Sequence, residues 1–463
     1  MKLTGWGRFA PRDTALEAPR DAQALRALLA RPSARDPAAT DPTATETAAT
    51  DKAQGGAIAR GNGRAYGDAA VGAQTTLSTR HLNRMIAFDA QSGQLVAEAG
   101  VLLSDVIDAF LPRGWFPMVT PGTRFVTLGG MAAADVHGKN HHLDGSFRTC
   151  VDWLDLMGPD GEIRRCSRTE NAELFDWTLG GMGLTGVILR LALRLRAVES
   201  GWIGQTTLPC PDLDAVLRGF EEHESAPYSV AWIDCLASGG ALGRSLLTLG
   251  HHLPRAKLEA AQAADPFASA KRGARKLPFD LPSFALNRHS VRGFNALYYR
   301  RGCAAAGAGV TDWQSYFYPL DAILGWNRIY GRRGFVQFQC VLPDTSARAG
   351  LAALLRATAE TGCASFLAVL KRFGAQDGAF SFPMQGYTLA MDFPASRRAL
   401  ALLDRLDAIT LTHGGRFYLA KDARMSAETL HRADPRAADL AALRARAGMA
   451  APLQSALSQR LSL

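Results

Sequence analysis

Cysteine is scarce in this chain, and its seven cysteines include no C-x-x-C pair. An odd number of cysteines without paired spacing argues against a disulfide framework. It predicts reduced, mostly buried thiols, as in a cytoplasmic protein. The chain also lacks any uncharged apolar run of roughly 20 residues, the length that crosses a membrane. Its first residues, MKLTGWGRFAPRDT, lack the apolar core of a signal peptide, so we expect a cytoplasmic location without Sec-type export.

The charge balance is basic, with a formal net charge of +9. Such a charge suits nucleic acid, an anionic membrane surface or an anionic small ligand. We identify no nucleic-acid recognition module in the sequence and expect no basic helix, which disfavours nucleic acid. His137, His141 and His142 cluster in HGKNHH, but without an H-E-x-x-H arrangement we predict no metal site. We therefore expect the basic charge to serve an anionic ligand or an anionic membrane surface. The alternative is that the charge comes from ordinary solvated arginines.

Length and patterning predict an α+β protein of two domains. The 463 residues, 47% of them hydrophobic, can fill two ordinary cores. We predict a first domain at 1–196, a second at 197–411, and a C-terminal return to the first at 412–463. The Ala/Thr/Pro/Asp-rich stretch 31–54 is predicted to be a disordered insertion, and 265–291 a mobile loop over the site. Ser104 is the predicted N-cap of a helix in LLSDVIDAFLPRG.

Three glycine-rich loops are the most informative feature. The first is ARGNGRAYGD at 59–68, the second PGTRFVTLGG at 121–130, and the third GGMGLTG at 180–186. Glycines let a backbone approach a ligand and let N–H groups converge on phosphate. The first loop misses the G-x-G-x-x-G spacing by one residue, and no helical pattern follows it, which disfavours a nicotinamide site. Each loop alone could be a surface turn, but together they predict a flavin site.

The order of these motifs resembles the FAD-binding half of the vanillyl-alcohol-oxidase-like flavoproteins, with its PCMH-type FAD-binding domain. Within that superfamily the chain resembles the decaprenylphosphoryl-β-D-ribose 2′-oxidases. The likeness continues through LTGWGRFAP, SVAWIDC, WNRIYGRRGFVQFQCVLP, FSFPMQGYTLAMDFP and GGRFYLAKDARMSAETL. It covers nearly the whole chain except 31–52 and about 253–285. It implies an FAD-binding domain and an antiparallel-sheet substrate domain.

The resemblance also implies which residues bind FAD. Some superfamily members tether the flavin through a histidine in the first glycine loop, where this chain has Tyr66 and no histidine. We therefore predict a dissociable, non-covalent FAD. The predicted cofactor-binding residues are Arg60, Gly61, Asn62, Gly63, Arg64, Ala65, Tyr66, Gly67, Asp68, Pro121, Gly122, Thr123, Thr127, Gly129, Gly130, Ala134, Val136, His137, Gly138, Asn140, Gly186, Ile188 and Tyr418.

Oxidation of an alcohol by a flavin needs a base or an alkoxide-stabilising cation beside the ring. Lys421 is the leading candidate, and His137 and Tyr66 are the other predicted catalytic residues. Without the family match, a surface lysine paired with Asp422 would be the preferred interpretation of Lys421. The predicted substrate-binding residues are Lys139, Trp232, Gln337, Gln339, Lys371, Thr388 and Lys421.

Strand alternation places Gln337 and Gln339 on one face, where two amides suit a polyhydroxylated sugar. An exposed sheet face for these glutamines, and core packing for Trp232, are the alternatives. Two positions depart from the family, since Ala390 replaces a cysteine and Thr388 an asparagine. That cysteine takes no redox part in the family, so we expect turnover to survive and a thiol-directed covalent inhibitor to fail. The effect of these two replacements on the geometry of the sugar pocket is not predicted.

The predicted function is oxidation of the ribose C2 hydroxyl of a polyprenyl-phosphoryl-ribose to the 2′-keto sugar. The resemblance implies that a separate NAD(P)H-dependent short-chain reductase completes epimerisation to the arabinose donor for a cell-wall arabinan or a similar polymer. A lipid-linked substrate further implies peripheral contact with the inner membrane. Nucleic acid is not an expected partner. The alternatives are an aldonolactone- or alditol-type oxidase of a soluble sugar, and a non-catalytic basic scaffold.

Overall fold

The computed structural model describes residues 1–30, 56–268, 275–282, 286–363, 365 and 367–463. The predicted disordered insertion at 31–54 therefore lies outside the described residues. The same holds for two pieces, 269–274 and 283–285, of the predicted mobile loop. Among the described residues, no helix is long and apolar enough to cross a membrane.

The described residues of the first part of the chain form three sheets, one of them only a single pair of short strands, with helices between the strands. Its elements are β1 (Lys2–Leu3), β2 (Arg12–Asp13), β3 (Ala15–Glu17), α1 (Ala22–Leu29), β4 (Ala57–Arg60), β5 (Thr75–Ser78), β6 (Met85–Asp89), β7 (Gln94–Glu98), α2 (Leu103–Phe110), β8 (Trp115–Pro117), α3 (Leu128–Ala133), α4 (His141–Asp144), β9 (Val151–Met157), β10 (Ile163–Ser167), α5 (Ala172–Thr178) and β11 (Val187–Ala197). Strands β3, β5 and β4 make a small parallel sheet.

The larger sheet of this part is antiparallel, in the order β10-β9-β11-β7-β6, with β8 added beside β11. In strand β11 the leucines at every second position are buried, whereas Arg190 and Arg194 on the other face are exposed. Its buried Leu191 and Leu193 belong to a core that also contains Leu128 of α3. This packing holds the second glycine loop, which runs into α3, against the sheet.

The second part of the chain builds one large antiparallel sheet. Its elements are β12 (Trp202–Cys210), α6 (Leu213–Glu222), β13 (Tyr228–Ile233), β14 (Ser245–His252), α7 (Ala260–Ala264), β15 (Arg275–Lys276), α8 (Arg288–Ala304), β16 (Gly307–Asp312), α9 (Trp313–Phe317), β17 (Ile323–Leu324), β18 (Phe335–Pro343), α10 (Asp344–Thr361), β19 (Ala368–Phe373), β20 (Gly386–Pro394) and α11 (Arg397–Thr412). The last elements are β21 (Arg416–Phe417), α12 (Ala427–Ala433), α13 (Arg436–Arg446) and α14 (Ala456–Leu461).

The eight strands follow the order β16-β12-β14-β13-β19-β20-β18-β21. Phe338 and Cys340 of β18 and Leu389 of β20 are buried in the apolar core of this part. Because side chains alternate along a strand, Gln337 and Gln339 lie on the opposite face. The predicted α+β class with antiparallel sheets is confirmed.

The C-terminal residues hydrogen-bond to the first part of the chain. Leu453 forms a bridge with Ala57, and the N–H of Ala456 donates to the carbonyl of Val71 at 2.8 Å. Strand β21, in contrast, pairs with β18 of the large sheet. The stretch 412–463 thus contacts both parts, and the domain boundaries near 196 and 411 stay predictions.

Two local predictions differ from the structure. Helix α2 begins at Leu103 after Leu102, so Ser104 is not its N-cap. The N–H groups of Leu103 and Ser104 donate to the carbonyls of Val126 and Arg124 at 2.9 Å, which already satisfies them. A side-chain cap is unnecessary there because its usual task is to satisfy such N–H groups.

The second difference concerns the predicted loop at 265–291. Its described part is anchored, since β15 pairs with β17 and Asp280 forms ion pairs with Arg8 and Arg328. Asn287 accepts hydrogen bonds from the first turn of α8, so the helix begins inside the predicted loop. Composition alone does not reveal such long-range partners, and the mobility of the segment stays a prediction.

Candidate active site

A cavity of about 620 Å³ lies between the glycine loops and the face of the large sheet that carries Gln337 and Gln339. Cofactor and substrate pockets of roughly 300–1,000 Å³ are typical of enzymes. One wall comes from the glycine loops of the first part. The other comes from side chains on β13, β14, β18, β19 and β20. The cavity therefore joins the two parts of the chain that the sequence assigned to cofactor and substrate.

The glycines of the first two loops let the backbones pack closely while leaving one side open. A Cβ on Gly61 would collide with the Thr127 hydroxyl oxygen, so the two loops meet where Gly61 has no side chain. Gly63 has φ of 62°, which glycine adopts without strain. A Cβ on Gly122 would meet no atom within 4 Å, which leaves the backbone there accessible from the cavity.

Most of the predicted site residues line this cavity. Those from the cofactor set are Gly61, Asn62, Gly63, Arg64, Ala65, Tyr66, Pro121, Gly122, Thr123, Thr127, Gly129, Gly130, Ala134, Val136, His137, Gly186, Ile188 and Tyr418. Those from the substrate set are Lys139, Trp232, Gln337, Gln339, Lys371, Thr388 and Lys421. Residues more than 300 positions apart in sequence are thereby brought together.

Five predicted cofactor residues do not line the cavity and instead hold its walls. Arg60 donates to the carbonyls of Ala70 and Thr4, and Asn140 donates to Met118. Asp68 pairs with Arg460 at 2.7 Å. Gly67 and Gly138 lie where a Cβ would collide with the Asp422 carbonyl and the Asn140 side chain, respectively.

Lys421 lines the cavity. Its Nζ is 3.5 Å from the centre of the Tyr66 ring. Burial lowers the pKa of Lys421, while the charge of Asp392 opposes this shift and the charge of Lys371 adds to it. Asp422, the alternative partner that the sequence offered, pairs instead with Arg460 at 2.8 Å. Lys421 is therefore a half-buried amine in the cavity wall, not a surface lysine paired with Asp422.

Asp392 is a fully buried carboxylate behind the cavity wall, and its charge acts on Lys421. It lies opposite Gln337 in the register of β18 and β20, and Gln337 Nε2 donates to it. Burial raises the pKa of Asp392, and the Gln337 hydrogen bond and the charge of Lys421 lower it in part. A carboxylate in this place stabilises an ammonium at Lys421.

A chain of hydrogen bonds fixes the tautomer of His137. The Thr388 hydroxyl donates to the Cys340 carbonyl at 2.8 Å, so its oxygen accepts from Gln339 Nε2 at 3.2 Å. The other amide proton of Gln339 points to His137 Nε2 at 3.1 Å. Burial, followed by the charge of Lys371, lowers the pKa of His137 well below its usual range. The neutral ring therefore carries its proton on Nδ1, which is buried without a partner in the structure.

Two more half-buried lysines of the cavity wall supply positive charge. Burial lowers the pKa of Lys371 to about 8. Burial, and then the charge of Lys371, lower the pKa of Lys139 to about 7. Lys139 Nζ donates to the Tyr316 carbonyl and lies 4.1 Å from the Tyr316 ring centre. An anionic ligand would stabilise the ammonium form of these amines and so raise their pKa again.

Sequence reasoning missed part of the wall. Tyr316 and Phe317 of α9, Tyr298 of α8 and Trp326 line the cavity. Their sequence neighbours give no local signal that these aromatic residues face a ligand site. Asp392 was missed as well, although its period-2 spacing from Thr388 and Ala390 in YTLAMDFP could have indicated it.

The residues of the cavity fit a flavin nucleotide. The open backbone at Gly122 offers room for a planar ring, and Arg64, which contacts the rings of Trp6 and Phe125, adds a cation to the wall. His137 Nδ1 is a donor that a ligand would satisfy. Within the described residues no group of three His, Cys, Asp or Glu side chains could hold a metal ion.

Comparison with known proteins gives a consistent family assignment. A family model described as an FAD binding domain matches residues 43–167. The chain is 32% identical over 440 residues to the decaprenylphosphoryl-beta-D-ribose oxidase of Mycolicibacterium smegmatis, covering 94% of this chain and 92% of that protein. It is 31% identical to the L-gulonolactone oxidase of Bos taurus, over 31% of each chain. Similarity to cytokinin dehydrogenase 5 of Arabidopsis thaliana, at 33%, covers 21% of this chain and 18% of that one.

Proposed function

Because this chain belongs to the decaprenylphosphoryl-β-D-ribose oxidase family and is an FAD-dependent oxidoreductase, we propose that it oxidises a polyprenyl-phosphoryl-β-D-ribose. The C2 hydroxyl of the ribose becomes the 2′-keto group, the first half of epimerisation to an arabinose donor. The observation that carries the proposal is the half-buried Lys421. It lies over the Tyr66 ring, within the field of Asp392, in the cavity that the glycine loops share with the large sheet.

The oxidation removes a proton from the hydroxyl oxygen and a hydride from C2. Bound FAD supplies the two-electron acceptor for that hydride. The Lys421 amine accepts the hydroxyl proton, since burial lowers its pKa and makes the free amine accessible near neutral pH. Asp392 then stabilises the ammonium that forms. The neutral His137 donates from Nδ1 to the bound ligands.

The ribose and its phosphate are recognised by the opposite wall. Gln339 keeps its amide group oriented through His137 and Thr388, which leaves its carbonyl for a sugar hydroxyl. Lys371 and Lys139 supply the cations for the phosphate. Trp232, in ring contact with Tyr298 at 4.7 Å, offers an apolar wall for the first prenyl units.

Two partners belong to this proposal. The 2′-keto product needs a hydride donor to become the arabinose, so an NAD(P)H-dependent short-chain reductase acts next. The prenyl chain keeps the substrate in a bilayer, so the enzyme works in peripheral contact with that bilayer. The FAD is bound without a covalent link, because the first glycine loop carries Tyr66 where other flavoproteins carry a tethering histidine.

The test is the visible spectrum of the purified protein during anaerobic addition of a detergent-dispersed polyprenyl-phosphoryl-ribose. We expect loss of the flavin absorption near about 450 nm, set by the flavin ring itself. A flavin band that ignores the lipid sugar but bleaches with a free aldonolactone or alditol would replace the proposal with a soluble-sugar oxidase. Absence of any band after FAD is supplied would leave only a non-catalytic scaffold.

A further inference from the structure

Helix α8 carries charge of a single sign. Its sequence, RHSVRGFNALYYRRGCA, contains four arginines and no acidic residue. Arg288, Arg292, Arg300 and Arg301 are all exposed. Since most protein surfaces mix both signs, a run of this kind indicates an anionic counterpart.

The same helix exposes large apolar side chains. Phe294 is 45% exposed, Leu297 50% and Tyr298 45%. Their spacing of three and four residues puts them on one side of the helix. The neighbouring side of the helix is anchored, because Val291 is buried and Asn295 Nδ2 donates to Asp234 Oδ1 at 2.7 Å. Exposed apolar residues near arginines on an anchored helix suit the surface of an anionic membrane.

Helix α8 stands at the cavity. Tyr298 both lines the cavity and reaches solvent, and its ring lies 5.8 Å from that of Phe294. A second segment flanks the same cavity through Leu320, which lines it shortly before β17. The exposed Ile323 and Leu324 of β17 pair with β15, and the nearby Phe279 is 60% exposed. The apolar and basic residues therefore border the entrance by which a lipid-linked sugar would enter.

We propose that this mouth surface docks on an anionic lipid bilayer. The mouth surface consists of the apolar residues Phe279, Phe294, Leu297, Tyr298, Ile323 and Leu324 with the arginines of α8. The inference rests on the proposed function for its purpose, because docking brings the cavity to the membrane that holds the prenyl chain. Anionic headgroups complement the arginines, while the apolar side chains enter the interfacial region between headgroups and acyl chains.

The test is co-sedimentation of the FAD-loaded protein with vesicles of phosphatidylcholine and phosphatidylglycerol in equal amounts. Pure phosphatidylcholine vesicles are the comparison. We expect binding to the anionic vesicles that weakens with salt, and at least a fivefold loss of binding in the double variant Phe279→Ser/Leu297→Ser. The matched control is Ile86→Ser/Ile163→Ser, two exposed isoleucines on the first sheet, which keeps wild-type binding.

The charge is tested in the same way. Arg292→Glu/Arg300→Glu should lose binding at least tenfold, whereas Arg218→Glu/Arg356→Glu, on α6 and α10, should lose much less. Equal binding by both arginine pairs, or no binding of the wild type to anionic vesicles, overturns the docking surface. Flavin bleaching with detergent-dispersed substrate is measured in parallel. Its failure with intact vesicle binding would reject the proposed reaction and leave the docking surface standing.

Discussion

At the scale of the residue, the proposed reaction depends on one half-buried amine, Lys421. Replacing Lys421 with Ala removes the proposed proton acceptor, and loss of a general base costs about 10²–10⁴-fold in rate. We expect flavin reduction by the lipid sugar, followed by stopped-flow absorbance, to slow by that range. Lys257→Ala, at an exposed lysine, is the matched control and keeps the wild-type rate. Near wild-type reduction in Lys421→Ala would assign the proton to another group.

Asp392 sets the pH at which that amine acts. A base works in its unprotonated form, so the rate of flavin reduction should rise with pH through the pKa of Lys421. Asp392 opposes the lowering of this pKa by burial. In Asp392→Asn the pKa of Lys421 should fall further, and the acid limb of the rate profile should move to lower pH. A shift to higher pH would contradict this role of Asp392, and a rate that falls as pH rises would mean that Lys421 acts as an ammonium.

At the scale of the element, helix α14 fastens both the first glycine loop and the lysine segment. Arg460 pairs with Asp68 at 2.7 Å and with Asp422 at 2.8 Å, and all three side chains are mostly buried. Arg460→Met would leave two buried carboxylates unpaired, which typically costs about 3–5 kcal/mol. We expect a much lower thermal midpoint and about tenfold weaker FAD binding, measured by flavin fluorescence.

The control for this prediction is another arginine pair near the C-terminus. Arg446 pairs with Glu173, but both side chains are more than half exposed. Exposed pairs contribute about 0–1 kcal/mol, so Arg446→Met should leave the midpoint and the FAD affinity nearly unchanged. If the two variants lose the same stability, α14 has no special part in holding the loops.

Strand patterning predicted the substrate face well. The alternation in VQFQC indicated that Gln337 and Gln339 share a face, and both line the cavity. The same rule applied to YTLAMDFP would have found Asp392, which lies directly opposite Gln337. Helix starts were harder to predict, as Ser104 shows, because a neighbouring segment satisfied the N–H groups that a cap would otherwise satisfy.

At the scale of the whole molecule, the glycine loops and the family resemblance were sufficient to predict the fold class and the cofactor. What they could not predict is the packing of distant segments on each other. Tyr316 and Tyr298 enter the cavity wall only because α9 and α8 pack beside the large sheet. Arg60 and Asp68 have the charges expected of cofactor ligands, yet their side chains contact the Thr4 carbonyl and Arg460. Their part in FAD binding stays a prediction.

Stability of the whole molecule should fall in acid because buried histidines are held neutral. Burial lowers the pKa of His141 to about 3, and the residue is 1% exposed. A depressed histidine pKa means that the unfolded chain binds the extra proton, so stability is lost as pH falls below the unfolded value of roughly 6.5. By linkage, His141 alone should contribute about 2 kcal/mol of that loss at pH 5.

The measurement is urea unfolding of the FAD-saturated protein at pH 7 and pH 5, with His141→Phe as the variant. At pH 7 the variant loses the hydrogen bond from His141 to Gln376, at a cost of about 1 kcal/mol. Gln376 Oε1 keeps its hydrogen bond from the Ser146 N–H at 2.7 Å, so no acceptor is left unpaired. Between pH 7 and pH 5 the variant should lose about 2 kcal/mol less than the wild type. His81→Phe, at an exposed histidine, should follow the wild type. An acid loss in His141→Phe as large as in the wild type would show that His141 does not take up a proton on unfolding.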